Sequence, residues 1–285
     1  MGTTHLTRAQ KTKNDEFYTH PQDVETFMTG VLTKTPNLLN GANVLLPCDT
    51  PASAFTKYFT THFHQLGLNT LTAVGMDGKD GTYYHQTKER KIHRPAQGCG
   101  RFQSQETTNA LATANFVFTN PPFSILREFH HWLTKQPRLR YGIMAPTTAI
   151  AYANIKPQII AGTIQAWGSK SRTFTTPTGQ ANALTCWLTN IPNQLPRKPI
   201  GEHTREENTH TLKGKRYKDL YKPYDNHPGI ECPTYQAIPT PNGQTIGAPI
   251  TTLAQCDLTD WRILDIIKPT IGGRAKFQRV LLSPR

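Results

Sequence analysis

The sequence predicts an α/β fold: a mostly parallel sheet with helices on both faces, followed by a smaller basic region. Three observations carry this reading. Short apolar runs alternate with stretches of helical period up to about residue 190. One run, Phe116-Val117-Phe118, halts at Asn120-Pro121-Pro122, and a helical period then follows through Leu126, Phe129 and Leu133. At Pro192 the composition shifts to Pro, Lys, Arg, Tyr and His.

Residues 1–13 are polar and basic, with Arg8, Lys11 and Lys13, and read as an arm. Asn14-Asp15-Glu16-Phe17-Tyr18-Thr19 precedes a helix over Gln22–Leu32, whose Val24, Phe27, Met28 and Val31 share one face. Acidic and aromatic side chains this close together suit a cationic or hydrogen-bonding ligand. They equally suit a helix entry, with Thr19 or His20 as cap, Pro21 at the first helical position and Phe17 as a staple.

Asn43 to Pro47 reads as a strand that turns through Cys48-Asp49-Thr50-Pro51 into a helix over Ser53–Phe63. Such a unit opens a doubly wound nucleotide-binding fold, yet the Gly-x-Gly path for a pyrophosphate is missing, so a dinucleotide is not expected. The helix N-terminus with Asp49 beside it suits a ligand carboxylate and ammonium. Leu71–Gly75 is a second strand ending near Asp77, where such folds hold a ribose. Thr82 to Arg101 reads as a basic loop, either solvated or in contact with phosphate. Tyr141–Ala145, Ile164–Trp167 and Ala183–Ile191 are further strands, with a helix over Ala149–Ile160 interrupted or ended near Pro157; Gln278–Leu282 is the last strand.

The tip at Asn120 carries the chemistry. Two prolines fix φ and remove backbone donors at the C-terminal end of a strand, where ligands of open α/β sheets bind. The Asn120 amide, the Pro121 carbonyl and the Phe123 ring offer two acceptors and a stacking face to a planar amino group. Accepting both N–H bonds shifts such a nitrogen towards tetrahedral geometry and frees its lone pair, which suits methyl transfer from S-adenosylmethionine to a base amine. A base inside a duplex must flip out to reach it.

With 32 Lys and Arg against 19 Asp and Glu, the formal charge is +13, which suits a polyanion. The segment 192–230 interleaves Arg197, Lys198, Lys213, Lys215, Arg216 and Lys218 with Tyr217, Tyr221 and Tyr224, pairing phosphate contacts with aromatic stacking. Five widely spaced cysteines without Cys-x-x-Cys suggest neither a disulfide framework nor a zinc site and favour a reducing cytoplasm; no metal is expected. No apolar run approaches membrane length, and no signal peptide is expected.

Asn120-Pro121-Pro122-Phe123 matches the Asp/Asn-Pro-Pro-Tyr/Phe tetrapeptide of amino-group methyltransferases. Together with Asn14 to Thr19, Pro47-Cys48-Asp49-x-Pro51, Tyr224-Asp225-Asn226 with Ile230-Glu231, and Gly247-x-Pro249-Ile250-Thr251, the chain resembles the EcoRI-type adenine-specific DNA methyltransferase family over almost its whole length. The resemblance implies a Rossmann-like, seven-stranded methyltransferase sheet, S-adenosylmethionine as donor, and adenine N6 in double-stranded DNA as acceptor. It puts Asn14, Asp15, Glu16, Phe17, Tyr18, Pro47, Cys48, Asp49, Asp77 and Phe102 near the donor, and Asn120 to Phe123 at the flipped adenine. The implied division is a basic arm (1–13), a catalytic domain (14–191) and a DNA-recognition and C-terminal region (192–285). The expected partners are duplex DNA and a cognate restriction endonuclease, and the expected state is a monomer. Two departures stand out: Gly100-Arg101-Phe102-Gln103-Ser104 replaces the family's Gly-Asp-Phe-Arg-Ser, and Asn115 replaces an acid before the central strand. RNA or a protein amide as substrate, or a lapsed DNA-binding relative, are the competing readings.

Overall fold

The computed structural model describes residues 19–77, 80–176 and 179–285. The arm 1–13 and the candidates Asn14, Asp15, Glu16, Phe17 and Tyr18 lie outside the described residues.

Helix α1 (Pro21–Lys34) opens as its sequence dictates: Pro21 has no N–H to leave unsatisfied, and the His20 ring accepts from the Gln22 amide at 3.3 Å. Strand β1 (Asn43–Leu46) leads through Pro47–Asp49 to α2 (Ala54–Thr61), whose cap Ser53 accepts from the Thr56 amide at 3.2 Å. Strand β2 (Thr70–Asp77) follows. The stretch read as a basic loop instead forms two antiparallel strands, β3 (Asp80–Gln86) and β4 (Lys91–Pro95). Thr82-Tyr83-Tyr84 has the β-branched and aromatic character of a strand, but the charges of the outer strand beside it hid the signal. Next come α3 (Gln105–Thr113), β5 (Phe116–Thr119), α4 (Leu126–Leu133), β6 (Arg140–Pro146), α5 (Lys156–Ile160), β7 (Gln165–Thr176) and β8 (Gly179–Thr189). Pro157 sits in the first turn of α5, so it opens that helix where an interruption was expected.

The sheet has eight strands in the order β4-β3-β2-β1-β5-β6-β8-β7, one more than the seven expected. Strands β2, β1, β5 and β6 run parallel, while β3, β4 and β8 are antiparallel to their neighbours. From β1 the chain goes first to β2 on one side and later to β5 on the other. The strand order therefore reverses between β1 and β5, the place where open α/β sheets bind ligands. Beneath that place the Phe27 ring of α1 stacks on Trp187 of β8 with centroids 4.1 Å apart, and it meets Phe118 of β5 edge-on.

The chain separates into two compact units. The first holds the described residues up to Pro146 and Lys170–Leu195; the second holds Thr147–Ser169 and Pro196–Arg285. The second unit contains α6 (Arg205–Thr211), β9 (Ile230–Glu231), β10 (Ile246–Pro249), α7 (Thr252–Gln255), β11 (Trp261–Ile267), β12 (Thr270–Ile271), β13 (Arg274–Ala275) and β14 (Arg279–Pro284). Its main sheet runs β11-β14-β10-β9, and β12 and β13 form a separate hairpin. No helix among the described residues is long and apolar enough to cross a membrane.

Candidate active site

The Asn120 tip follows directly on β5, and Asp49 is the third residue after β1, so both lie at the C-terminal ends of the strands that flank the switch point. Thr119, the last residue of β5, donates its hydroxyl to the Asp49 carboxylate at 2.6 Å. Both side chains are buried, Asp49 at 4% and Thr119 at 0% exposure. Loss of water pushes the Asp49 carboxyl up to about 6, against the opposing effect of hydrogen bonds from Thr119 and Ser53. The neighbouring Cys48 thiol is pushed well up by burial and by Asp49, while Pro47 is buried.

Gly75 of β2 explains how that turn packs. A Cβ at this position would lie 2.6 Å from the Asp49 carbonyl carbon, so only glycine lets β2 press against the backbone there. Asp77, at the exposed end of β2, stands in register with Asp80 of β3.

At the tip itself Asn120, Pro122 and Phe123 are half-buried and Pro121 is buried. A single turn over Phe123–Ile125 then leads into α4. The Phe123 ring meets the edge of Phe174 on β7 at 6.2 Å and 89°. Phe174 is 1% exposed and 51 positions further along the chain, which is why no local pattern reveals it. A second long-range support is equally hidden from local reading. Asp23 at the start of α1 accepts from Arg172 Nε of β7 at 3.1 Å, and the same guanidinium donates to the Thr185 carbonyl at 2.8 Å, joining α1 to β7 and β8.

Phe102 and Asn115 occupy positions that the sequence does not convey. Phe102 is 6% exposed and packs edge-on to Phe129 and Trp132 of the helix behind the tip. Asn115 stands at the opposite end of β5 from Asn120, where its side-chain oxygen accepts from the Asn43 amide at 2.8 Å. Its work is to join the starts of β5 and β1. Arg101 is exposed.

The family model described as adenine-specific methyltransferase EcoRI matches residues 5–94 and 86–280. This chain belongs to that family. As an adenine-specific methyltransferase it is 26% identical to the Type II methyltransferase M.EcoRI of Escherichia coli over 324 residues, an alignment covering 98% of this chain and 95% of that protein. The Type II methyltransferase M.MpnI of Mycoplasma pneumoniae is 31% identical over 153 residues, covering 53% and 46% of the two chains. M.MgeORF184P of Mycoplasma genitalium is 28% identical over 153 residues, covering 53% and 47%. No solved structure matches the chain.

In this family member the basic segment divides into two kinds of side chain. Lys213, Lys215, Arg216 and Lys218 are exposed and Tyr217 is half-buried in a short turn. Lys213 folds its ammonium back onto the Thr209 carbonyl at 2.5 Å, and Lys198 lies over the Tyr235 ring at 4.6 Å. Arg197 does not fit the expected phosphate contact. Its guanidinium donates to the carbonyls of Leu253, Cys256 and Ala166 and stacks on Trp167 at 3.7 Å, which uses its donors inside the second unit. Tyr221 and Tyr224, expected to face bases, turn inward: Tyr221 donates to the Ala237 carbonyl at 2.9 Å and Tyr224 to Glu231 at 2.7 Å. A tyrosine with its hydroxyl bonded inside is an anchor for its loop.

Proposed function

We propose that this chain is a DNA adenine N6-methyltransferase that uses S-adenosylmethionine and acts on a flipped-out adenine in a specific duplex site. The observation that carries the reading is the hydrogen bond between Thr119 and Asp49, which brings the Asn120 tip and a buried carboxylate together at the switch point. That carboxylate fits the donor chemically: water has been removed from it, and only hydrogen-bond donors, Thr119 and Ser53, offset the loss. A cationic ammonium or sulfonium beside it supplies the missing counter-charge.

When bound, S-adenosylmethionine supplies an electrophilic methyl group on its sulfonium. Asp49 and the turn Pro47-Cys48 hold the donor's methionine end in this reading, Asp77 its ribose, and Asn14 to Tyr18 approach from the N-terminal side. Phe102 supports the pocket from behind through Phe129. The Asn120 side-chain oxygen and the Pro121 carbonyl accept the two N–H bonds of the adenine amine, localising its lone pair. Phe123 stacks on the base, with Phe174 fixing the plane of its ring. The catalytic domain corresponds to residues 14–191 and the DNA-reading region to 192–285, with the seven-stranded methyltransferase core lying within the eight strands. The active form is a single chain on duplex DNA, with a cognate restriction endonuclease as its cellular counterpart.

The test is incubation of the chain with labelled S-adenosylmethionine and mixed-sequence duplex DNA. N6-methyladenine at one recurring sequence is expected. Folded protein that labels RNA or protein but no duplex would overturn the proposal.

A further inference from the structure

An exposed phenylalanine by itself means little, since isolated apolar side chains are common on protein surfaces. Phe277 of the second unit is different in how it is held. It is 88% exposed, yet the backbone on both sides of it is fixed. Ahead of it, the Lys276 amide donates to the Pro269 carbonyl at 2.8 Å. Behind it, Arg279 Nη1 donates at 3.2 Å to the carbonyls of both Phe277 and Gln278. That guanidinium is clamped in turn on the buried Glu231, with Nη2 to Oε1 at 2.7 Å. The hairpin preceding Phe277 is held as firmly: the Asp225 carboxylate accepts from the Gly272 and Gly273 amides at 3.1 and 2.9 Å, and Asn226 accepts from the Thr270 amide at 2.9 Å. A rigid support beneath a ring in water loses backbone freedom without gaining burial, as expected of a side chain whose burial comes from a partner.

The charges around it say which partner. Lys276 pairs with Asp219 at 2.5 Å, so the link between β13 and β14 that carries Phe277 is joined to the turn containing Lys215, Arg216 and Lys218, all exposed. Asp219 also takes Lys222 at 3.1 Å, so this acid is paired with two cations. Arg274 on the hairpin is exposed as well. An apolar ring on a fixed mount amid free cations is the arrangement that wedges between base pairs while the cations hold the phosphates.

We infer that Phe277 is a wedge that inserts between neighbouring base pairs of duplex DNA. The inference rests on the proposed action on DNA and adds a contact made by the second unit. Nicked plasmid is sealed with ligase in the presence of saturating full-length protein, and the topoisomers are resolved. The wild-type chain is expected to unwind the plasmid, and Phe277→Trp to retain the effect, because it keeps a planar apolar wedge. Phe277→Ala should lose most of it and bind plasmid roughly tenfold more weakly. The slope of affinity against salt should stay the same, since no charge is removed. Thermal melting coincident with wild type separates the effect from loss of fold. Absence of unwinding by the wild-type chain, or equal unwinding by Phe277→Ala, overturns the wedge. Methyl incorporation from labelled S-adenosylmethionine into the same plasmid is read in parallel. Incorporation with unwinding that ignores Phe277 overturns the wedge and leaves the methyltransferase reading. Unwinding that needs Phe277 without any incorporation does the reverse.

Discussion

The Thr119 hydroxyl reaches the Asp49 carboxylate across 2.6 Å, so the last residue of one central strand grips the turn that follows its neighbour. Thr119 is also the residue immediately before Asn120. The turn proposed for the donor and the tip proposed for the acceptor are therefore joined by a single buried contact.

Replacing Asn120 by Ala removes the acceptor proposed for the amine without touching the charged surface of the second unit. Turnover should fall by roughly a hundredfold or more, as for loss of a key polar stabiliser, while affinity for duplex DNA changes little. Single-turnover rates and filter binding on the same duplex check both parts.

Asp49 should make both stability and donor binding depend on pH. Its folded value of about 6 lies above the ordinary 3.8, so between these values the fold keeps a proton that the unfolded chain has released. Stability contributed by this group thus falls as pH rises through that window, and the whole cost is present above about 6. Asp49→Asn should gain on the order of 1–3 kcal/mol over wild type at pH 8 and little near pH 4, measured by urea unfolding. A cationic donor demands the ionised form, so calorimetric affinity of wild type should be roughly tenfold weaker at pH 5 than at pH 8.

Phe174→Leu keeps most of the buried volume but withdraws the aromatic edge from Phe123. A stability loss of about 1 kcal/mol is expected. The rate on duplex DNA should fall further than that small loss explains, because the Phe123 ring loses its fixed plane. Equal rates for variant and wild type at matched folded fraction would count against a stacking role for Phe123.

Asp23→Ala removes the carboxylate that accepts from Nε of Arg172, whose side chain is 5% exposed. Breaking one side of a buried pair costs roughly 3–5 kcal/mol, whereas an apolar replacement of both partners recovers much of it. Denaturant unfolding of Asp23→Ala and of Asp23→Leu with Arg172→Met tests this.

Charge reversal at Lys215 and Arg216 should weaken DNA binding and reduce its salt slope by roughly one per lost phosphate contact. Arg197→Ala should behave differently: it releases three carbonyls inside the second unit, so the variant loses stability more than it loses salt dependence. Binding isotherms across a salt series, set beside melting curves, distinguish the two kinds of arginine.

The tip at Asn120, the strand before it and the turn at Asp49 were legible because each is a local pattern: an apolar run, two prolines, a capped helix. What supports them was not. Phe174 and Arg172 reach the site through pairing of strands far apart in the chain, and nothing in their immediate neighbours marks them. The inward turn of Tyr221 and Tyr224 was hidden for the same reason, since their partners Ala237 and Glu231 lie beyond the basic run. Strand β11 escaped notice because an irregularity between Ile263 and Asp265 breaks its alternation. The packing of Phe102 against Phe129 and Trp132 was hidden too, because the helix from Leu126 lies more than twenty residues further along the chain.

The outer strand β4 brings a last consequence. An open sheet edge is a template on which a second chain can add itself. Here the edge reads Lys91-Ile92-His93-Arg94-Pro95, with Lys91, His93 and Pro95 exposed. The Lys91 ammonium repels that of an identical neighbour, and proline offers no N–H for pairing. The cations first read as a hand for phosphate also serve as a guard against polymerisation, keeping the sheet from recruiting copies of itself.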